Sequence, residues 1–132
     1  MAISDIPGLS ALRTSMQWHQ QRQRVLAENV ANADTPNFQP RDLVRPTAKA
    51  LVAGTQTGMT LARTNAGHIA AAGGDVTFQL DRKSSSETRP AGNAVSLDDE
   101  MLKVAQNQMD YQAATSLYTR SLGLIKTALG KR

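Results

Sequence analysis

The chain contains no cysteine, which removes any disulfide framework and any thiolate metal site. Aromatic residues are scarce: Trp18, Phe38, Phe78, Tyr111 and Tyr118 are the full set in 132 residues. Leu, Ile, Val and Phe together make up about one fifth of the chain, a share that borders the composition of disordered proteins. Such a chain struggles to offset an ordering entropy of roughly 1–2 kcal/mol per residue for the backbone alone. The monomer is therefore expected to be marginal or partly unfolded, and completed by partners. No apolar run approaches the ~20 residues that span a bilayer, and no charged start followed by an apolar core marks a cleavable secretion signal. Basic charge lacks a focus as well. The net charge is +4, and the 15 Lys and Arg are scattered rather than gathered on one face with interleaved aromatics. A nucleic-acid partner is not expected.

Catalytic constellations are missing too. His19 and His68 have no acid and nucleophile arranged around them in the sequence. His19 reads as a packed polar residue of a helix. The cluster Asp98-Asp99-Glu100 has the composition of a divalent-cation or paired-carboxylate site, but its place before an apolar-periodic run makes it a helix start. Gly73-Gly74 follows no strand pattern and lacks the Lys and Ser/Thr of a phosphate loop. Arg22 and Arg24 read as a solvated helix face. No catalytic, cofactor-binding or metal-binding residue is expected, and no small-molecule substrate.

What the chain does have is helical periodicity at both ends. Leu9, Leu12, Met16, His19, Gln23, Leu26, Val30 and Ala33 follow strict 3,4 spacing, a heptad seam with two polar members in its middle. Ser4 or Asp5 is placed to cap its start, and Pro7 suits the first helical turn. The spacing predicts a helix over 8–33, roughly 39 Å long. A second seam runs through Met101, Val104, Gln108, Tyr111, Thr115, Tyr118, Leu122, Ile125 and Leu129. It predicts a helix over 97–129, with Ser96 as N-cap and Asp99 near a capping-box position. Acidic residues at its start and Lys126 near its end suit the helix macrodipole. Gly130 fits a C-terminal stop.

Between the helices the pattern breaks down. Val76, Phe78 and Leu80 alternate, as do Met59 and Leu61, so each segment is a candidate short strand. Ser84-Ser85-Ser86 and Gly73-Gly74 read as loop. The expected fold is mainly α: long N- and C-terminal helices in coiled-coil packing, with an irregular middle lobe that could hold a short β-hairpin. The expected organisation is one structural unit in three parts: helix and turn 1–36, lobe 37–95, and C-terminal helix 96–132.

The first helix runs into Asn29-Val30-Ala31-Asn32-Ala33-Asp34-Thr35-Pro36-Asn37-Phe38. Pro36 lacks an N–H and pushes Thr35 toward extended geometry, while Asn32 and Asp34 offer short side chains to freed backbone groups. On the reading that Thr35-Pro36 stops the helix, replacing the pair with Ala-Ala should let it run on. The Ala-Asn-Ala-Asp-Thr-Pro string closely resembles the signature of the bacterial flagellar axial proteins of rod and hook. Two further stretches share the likeness: Gly92-Asn93-x-Val95-x-Leu97-x-x-Glu100-Met101, and a C-terminal helix with Tyr111 and Leu122-x-x-Ile125-Lys126-x-x-Leu129. Together they cover about half of the chain. Gly67-His68-Ile69 also resembles an element of the proximal-rod branch. One departure is Asn37-Phe38, where the family usually has Gly-Tyr; Asn tolerates left-handed geometry better than other non-Gly residues.

The short length and the direct Asp34-Thr35-Pro36 to Phe38-Gln39-Pro40-Arg41-Asp42 continuation are similar to the proximal-rod members. The resemblance implies a structural subunit of the basal-body rod in the periplasm, without enzymatic activity, transmitting torque from the membrane ring to the distal rod and hook. It implies export through the flagellar type III apparatus, guided by an uncleaved N-terminal region. It also implies self-assembly against other rod subunits, the rod-adaptor protein and the membrane-ring protein. Helix packing is expected from Leu9, Leu12, Met16, Leu26, Val30, Met101, Val104, Tyr111, Tyr118, Leu122, Ile125 and Leu129. The turn is expected to depend on Asn29, Asn32, Asp34, Thr35, Pro36 and Phe38. The alternatives are the sister protein of the proximal rod and a cytoplasmic helical adaptor.

Overall fold

Two long helices dominate the computed structural model, which describes residues 6–47, 51, 78–81 and 88–130. Helix α1 spans Pro7–Ala31 and helix α2 spans Leu97–Ala128. They run antiparallel, since His19 meets Asn107 while Asn29 meets Glu100. Both lie within two residues of the ranges predicted from spacing.

Pro7 opens α1, where its missing N–H removes nothing from the helix ladder. Ile6 is the N-cap in extended geometry, without a side-chain cap bond. Its carbonyl accepts from the Leu9 and Ser10 N–H groups. Ser4 and Asp5 lie outside the described residues. Ser96 is the N-cap of α2, as expected, but its hydroxyl makes no cap hydrogen bond. The capping-box expectation is corrected accordingly: the dipole at this end is met by Asp98, Asp99 and Glu100. Gly130, at φ +69, turns the chain out of α2.

The middle of the chain contributes a two-stranded antiparallel sheet, β1 (Asp42–Leu43) with β2 (Leu80–Asp81), in the register Leu43 opposite Leu80. The strand expected at Leu80 is therefore present. Its partner follows the turn directly and is not joined to it by a tight hairpin. Met59, Leu61, Val76, His68, Gly73-Gly74 and Ser84-Ser85-Ser86 lie outside the described residues. The sheet is placed by a small apolar cluster of Trp18, Leu43 and Phe78, with Val25 packed against it. Trp18 Nε1 donates to the Val44 carbonyl at 2.9 Å, which ties α1 to the strand segment.

Candidate functional site

Beside the fully buried Leu26, the most buried points of the seam between the helices are polar. Asn29, Glu100 and Asn107 are each 2% exposed or less, and His19 is 5% exposed. Asn29 donates from Nδ2 to the Arg41 carbonyl at 2.7 Å and to Glu100 Oε2 at 2.9 Å, and its Oδ1 accepts from the Arg41 N–H at 3.1 Å. Lys103 Nζ reaches Glu100 Oε1 at 2.7 Å. One residue on α1 thus holds the second helix and the post-turn chain together. Two helical turns toward the N-terminus of α1, Asn107 Nδ2 donates to the His19 carbonyl and to Gln23 Oε1, both at 2.9 Å. Its Oδ1 is therefore the atom facing His19 Nδ1 at 2.8 Å, and Nδ1 carries the proton. Gln20 Nε2 donates to the Tyr111 hydroxyl at 3.1 Å. Beside these groups runs a groove of about 420 Å³ lined by His19, Gln20, Gln23, Arg24, Asn107, Gln108 and Tyr111.

At the other end of the seam, two turns interlock. The Asn37 N–H donates to the Ala91 carbonyl at 3.2 Å and the Ala94 N–H to the Phe38 carbonyl at 3.0 Å. Asn93, 3% exposed, donates from Nδ2 to the carbonyls of Asn32 (3.0 Å) and Thr35 (2.6 Å). Its Oδ1 accepts from the Val95 N–H at 2.7 Å. Asn37 sits at φ +58, the left-handed conformation that its residue type tolerates. Gly92 sits at φ +76, and a Cβ there would run into Asn37 Oδ1. The two segments flanking the lobe are thereby held side by side as a neck.

A third contact fixes the lobe to α1. Arg22 Nε and Nη2 bind the two Asp42 carboxylate oxygens at 2.8 and 2.7 Å, and the guanidinium lies 5.2 Å from the centroid of the Trp18 ring. Arg22 is therefore not a solvated-face residue. The sequence pattern placed it outside the seam correctly but could not show that the strand segment folds back over it.

Residues 9–39 match the family described as flagella basal body rod protein. The chain is 34% identical over 116 residues to the flagellar basal body rod protein FlgB of Salmonella typhimurium (strain LT2), covering 83% of this chain and 84% of that protein. It is 37% identical over 101 residues to FlgB of Yersinia enterocolitica, covering 70% and 71%, and 27% identical over 108 residues to FlgB of Bacillus subtilis (strain 168), covering 82% and 81%. The chain belongs to the FlgB family of flagellar basal body rod proteins. Membership sets aside the cytoplasmic-adaptor alternative, and the relatives bear the names of structural parts.

In this FlgB-family chain the expected packing residues fall into three groups. Leu9 and Leu26 are buried. Leu12, Met16, Val30, Val104, Tyr111, Tyr118, Leu122 and Ile125 are half-buried. Met101 and Leu129 stand exposed. Of the turn residues, Asn29 is buried, Asn32 and Phe38 are half-buried, and Asp34, Thr35 and Pro36 are exposed. Sequence periodicity missed Glu100 and Asn107, which are polar and gave it no apolar signal. It also left Trp18 off the seam, although the chain's one tryptophan was a clear candidate for a local core.

The Arg22–Asp42 pair makes stability depend on pH. Burial acts to raise the Asp42 carboxyl, but hydrogen bonds from the Arg22 guanidinium and the Leu43 N–H, with the Arg22 and Lys103 charges, hold it below the usual carboxylate value. Its contribution is thus fully present above the unfolded carboxylate value, about pH 4, and is lost as pH falls through the lower folded value. Urea titrations over a pH series should show wild-type stability declining in that acid range. Asp42→Asn should be less stable at neutral pH with a flatter acid limb. Arg22→Ala should lose about 1–2 kcal/mol at neutral pH, since a paired, mostly buried charged hydrogen bond is removed. An Arg22→Ala chain as stable as wild type would show that the contact does not fasten the lobe.

Proposed function

We propose that this rod subunit works mechanically in the proximal, periplasmic part of the rod, as a helix pair completed by its neighbours, and carries torque from the membrane ring toward the distal rod and hook. The observation that carries this reading is that α2 carries apolar side chains on two separate sides. One side packs on α1. On the other, Leu102, Met109, Leu117 and Leu124 are 53–69% exposed. A row of exposed large apolar side chains of this length marks a surface that a partner covers. Burying such a side chain contributes about 1.5–3 kcal/mol, and a repeating assembly gains that in every copy. The marginal composition of the chain agrees with a subunit whose core is finished by assembly.

In this reading the helix segments 1–36 and 96–132 supply the packing surfaces, and the lobe 37–95 supplies lateral or outer contacts. The neighbours are other rod subunits, the rod-adaptor protein and the membrane-ring protein, reached after export through the flagellar type III apparatus. The role is structural, with no catalytic step. A Met109→Asp/Leu117→Asp chain tests it, because both side chains are exposed in the monomer and their change spares its core. Swarming should be abolished and the subunit should be missing from detergent-extracted basal bodies, while the purified chain keeps its wild-type helicity. Normal swarming and incorporation would overturn the proposal.

A further inference from the structure

The exposed stripe of α2 has an internal symmetry. Leu102, Met109, Ala113, Leu117 and Leu124 are all exposed and fall within an arc of about 80° on the side turned away from α1, at 100° per residue. Successive members are 7, 4, 4 and 7 residues apart, so the stripe reads the same in both directions about Ala113. A helix face with this property fits its own copy when two helices cross antiparallel. Leu102 then meets Leu124, Met109 meets Leu117, and Ala113 meets Ala113, where the small side chain lets the backbones approach.

We propose that, outside the rod, two copies of this chain pair antiparallel through this stripe as an isologous dimer. Charge favours this direction over the parallel one. Antiparallel pairing sets the acidic first turn, Asp98 and Asp99, level with the partner's last turn, which holds no acidic residue, and it opposes the helix dipoles. Of the charged residues within the arc, Arg120 comes level with Gln106 and Asp99 with Thr127. In a parallel, in-register pair Arg120 would face Arg120, and both acidic turns would lie together. The dimer covers the side chains that rod neighbours need, so it must dissociate before incorporation. The inference concerns the free protein and does not rest on the rod reading; its failure would leave that reading untouched.

The absence of native cysteine allows a direct test with single-cysteine variants of the full chain and a short bis-maleimide. Ala113→Cys should cross-link to itself. Leu102→Cys should cross-link efficiently with Leu124→Cys in a mixture and poorly on its own. Sedimentation should show a concentration-dependent dimer, and Met109→Lys should weaken it by at least about tenfold, since each substitution removes two contacts across the two-fold. Leu102→Cys cross-linking to itself as well as to Leu124→Cys would overturn the antiparallel arrangement. A chain that stays monomeric up to ~0.1 mM would overturn the dimer.

Discussion

Asn29→Asp should unfold the helix pair. The change keeps the shape of the side chain and replaces two donor hydrogens by an oxygen. That oxygen would face the Arg41 carbonyl and Glu100 Oε2, the groups that Nδ2 now serves at 2.7 and 2.9 Å. A second carboxylate would stand beside Glu100 in a site where both residues are essentially inaccessible. Leaving a buried charge uncompensated costs about 3–5 kcal/mol, against a total stability of about 5–15 kcal/mol for ordinary domains and less for a chain with this few large apolar residues. Asn29→Ala should be comparably severe, at about 1–3 kcal/mol for each of the two Arg41 backbone groups left unpaired. Glu100→Gln should be milder than either, because the one amide oxygen can stand where Oε2 now accepts from Asn29, and only the half-buried Lys103 contact is lost. Helicity and urea titration of the three variants would test that order. An Asn29→Asp chain melting with the wild type would show that Asn29 does not hold the seam.

The same residues explain what was legible in the sequence. Both helices, and the turn after the first, are set by local chemistry: Pro7, the 3,4 spacing, Asn32, Asn37 and Gly130. Local signals of this kind placed the helix limits within two residues. The register of α2 was not legible in the same way. Its apolar positions favour a seam through Met101, Gln108 and Thr115, whereas burial falls on Glu100, Asn107 and Ala114, one residue earlier. Apolar periodicity finds the side that carries apolar residues, and α2 carries them on more than one side. The deciding partners are polar and lie across the seam, on His19, Gln23 and Asn29. Those pairings exist only once the helices are side by side, so no window of the sequence contains them.

Polar partners at a seam also supply something that leucines would not. A uniformly apolar pair could slide by a heptad with modest loss. Here a slide would strand Glu100, Asn107 and Asn29 without their partners, each loss costing about 1–3 kcal/mol. Buried polar groups are best attested in this role of fixing register. A rod subunit whose outer stripe must meet its neighbours at a set height gains from such a fixed register, even at some expense of stability.

Asn93→Asp should open the neck, and its effect should exceed that of removing the proline. Helix α1 ends at Ala31, before the Thr35-Pro36 pair. The carbonyls of Asn32 and Thr35 are held by Asn93 Nδ2, and the Asn32 N–H and side chain bond back to Glu28. Replacing Thr35-Pro36 with Ala-Ala removes a barrier to helix growth, since proline disfavours a helix by about 3 kcal/mol. It leaves the Asn93 bonds in place, because the acceptor at Thr35 is a backbone carbonyl, and those bonds oppose a helix running on. The Ala-Ala chain should therefore keep nearly the wild-type helix limit. In Asn93→Asp an oxygen would face both carbonyls. The site must then hold a charge against two acceptors or bind a proton that serves only one of them. With the group 97% buried, either outcome costs about 3 kcal/mol. Amide exchange should quicken at Asn37 and Ala94, whose N–H groups bridge the two turns, and swarming should fail. Wild-type exchange at both amides with normal swarming would show that the neck holds without Asn93.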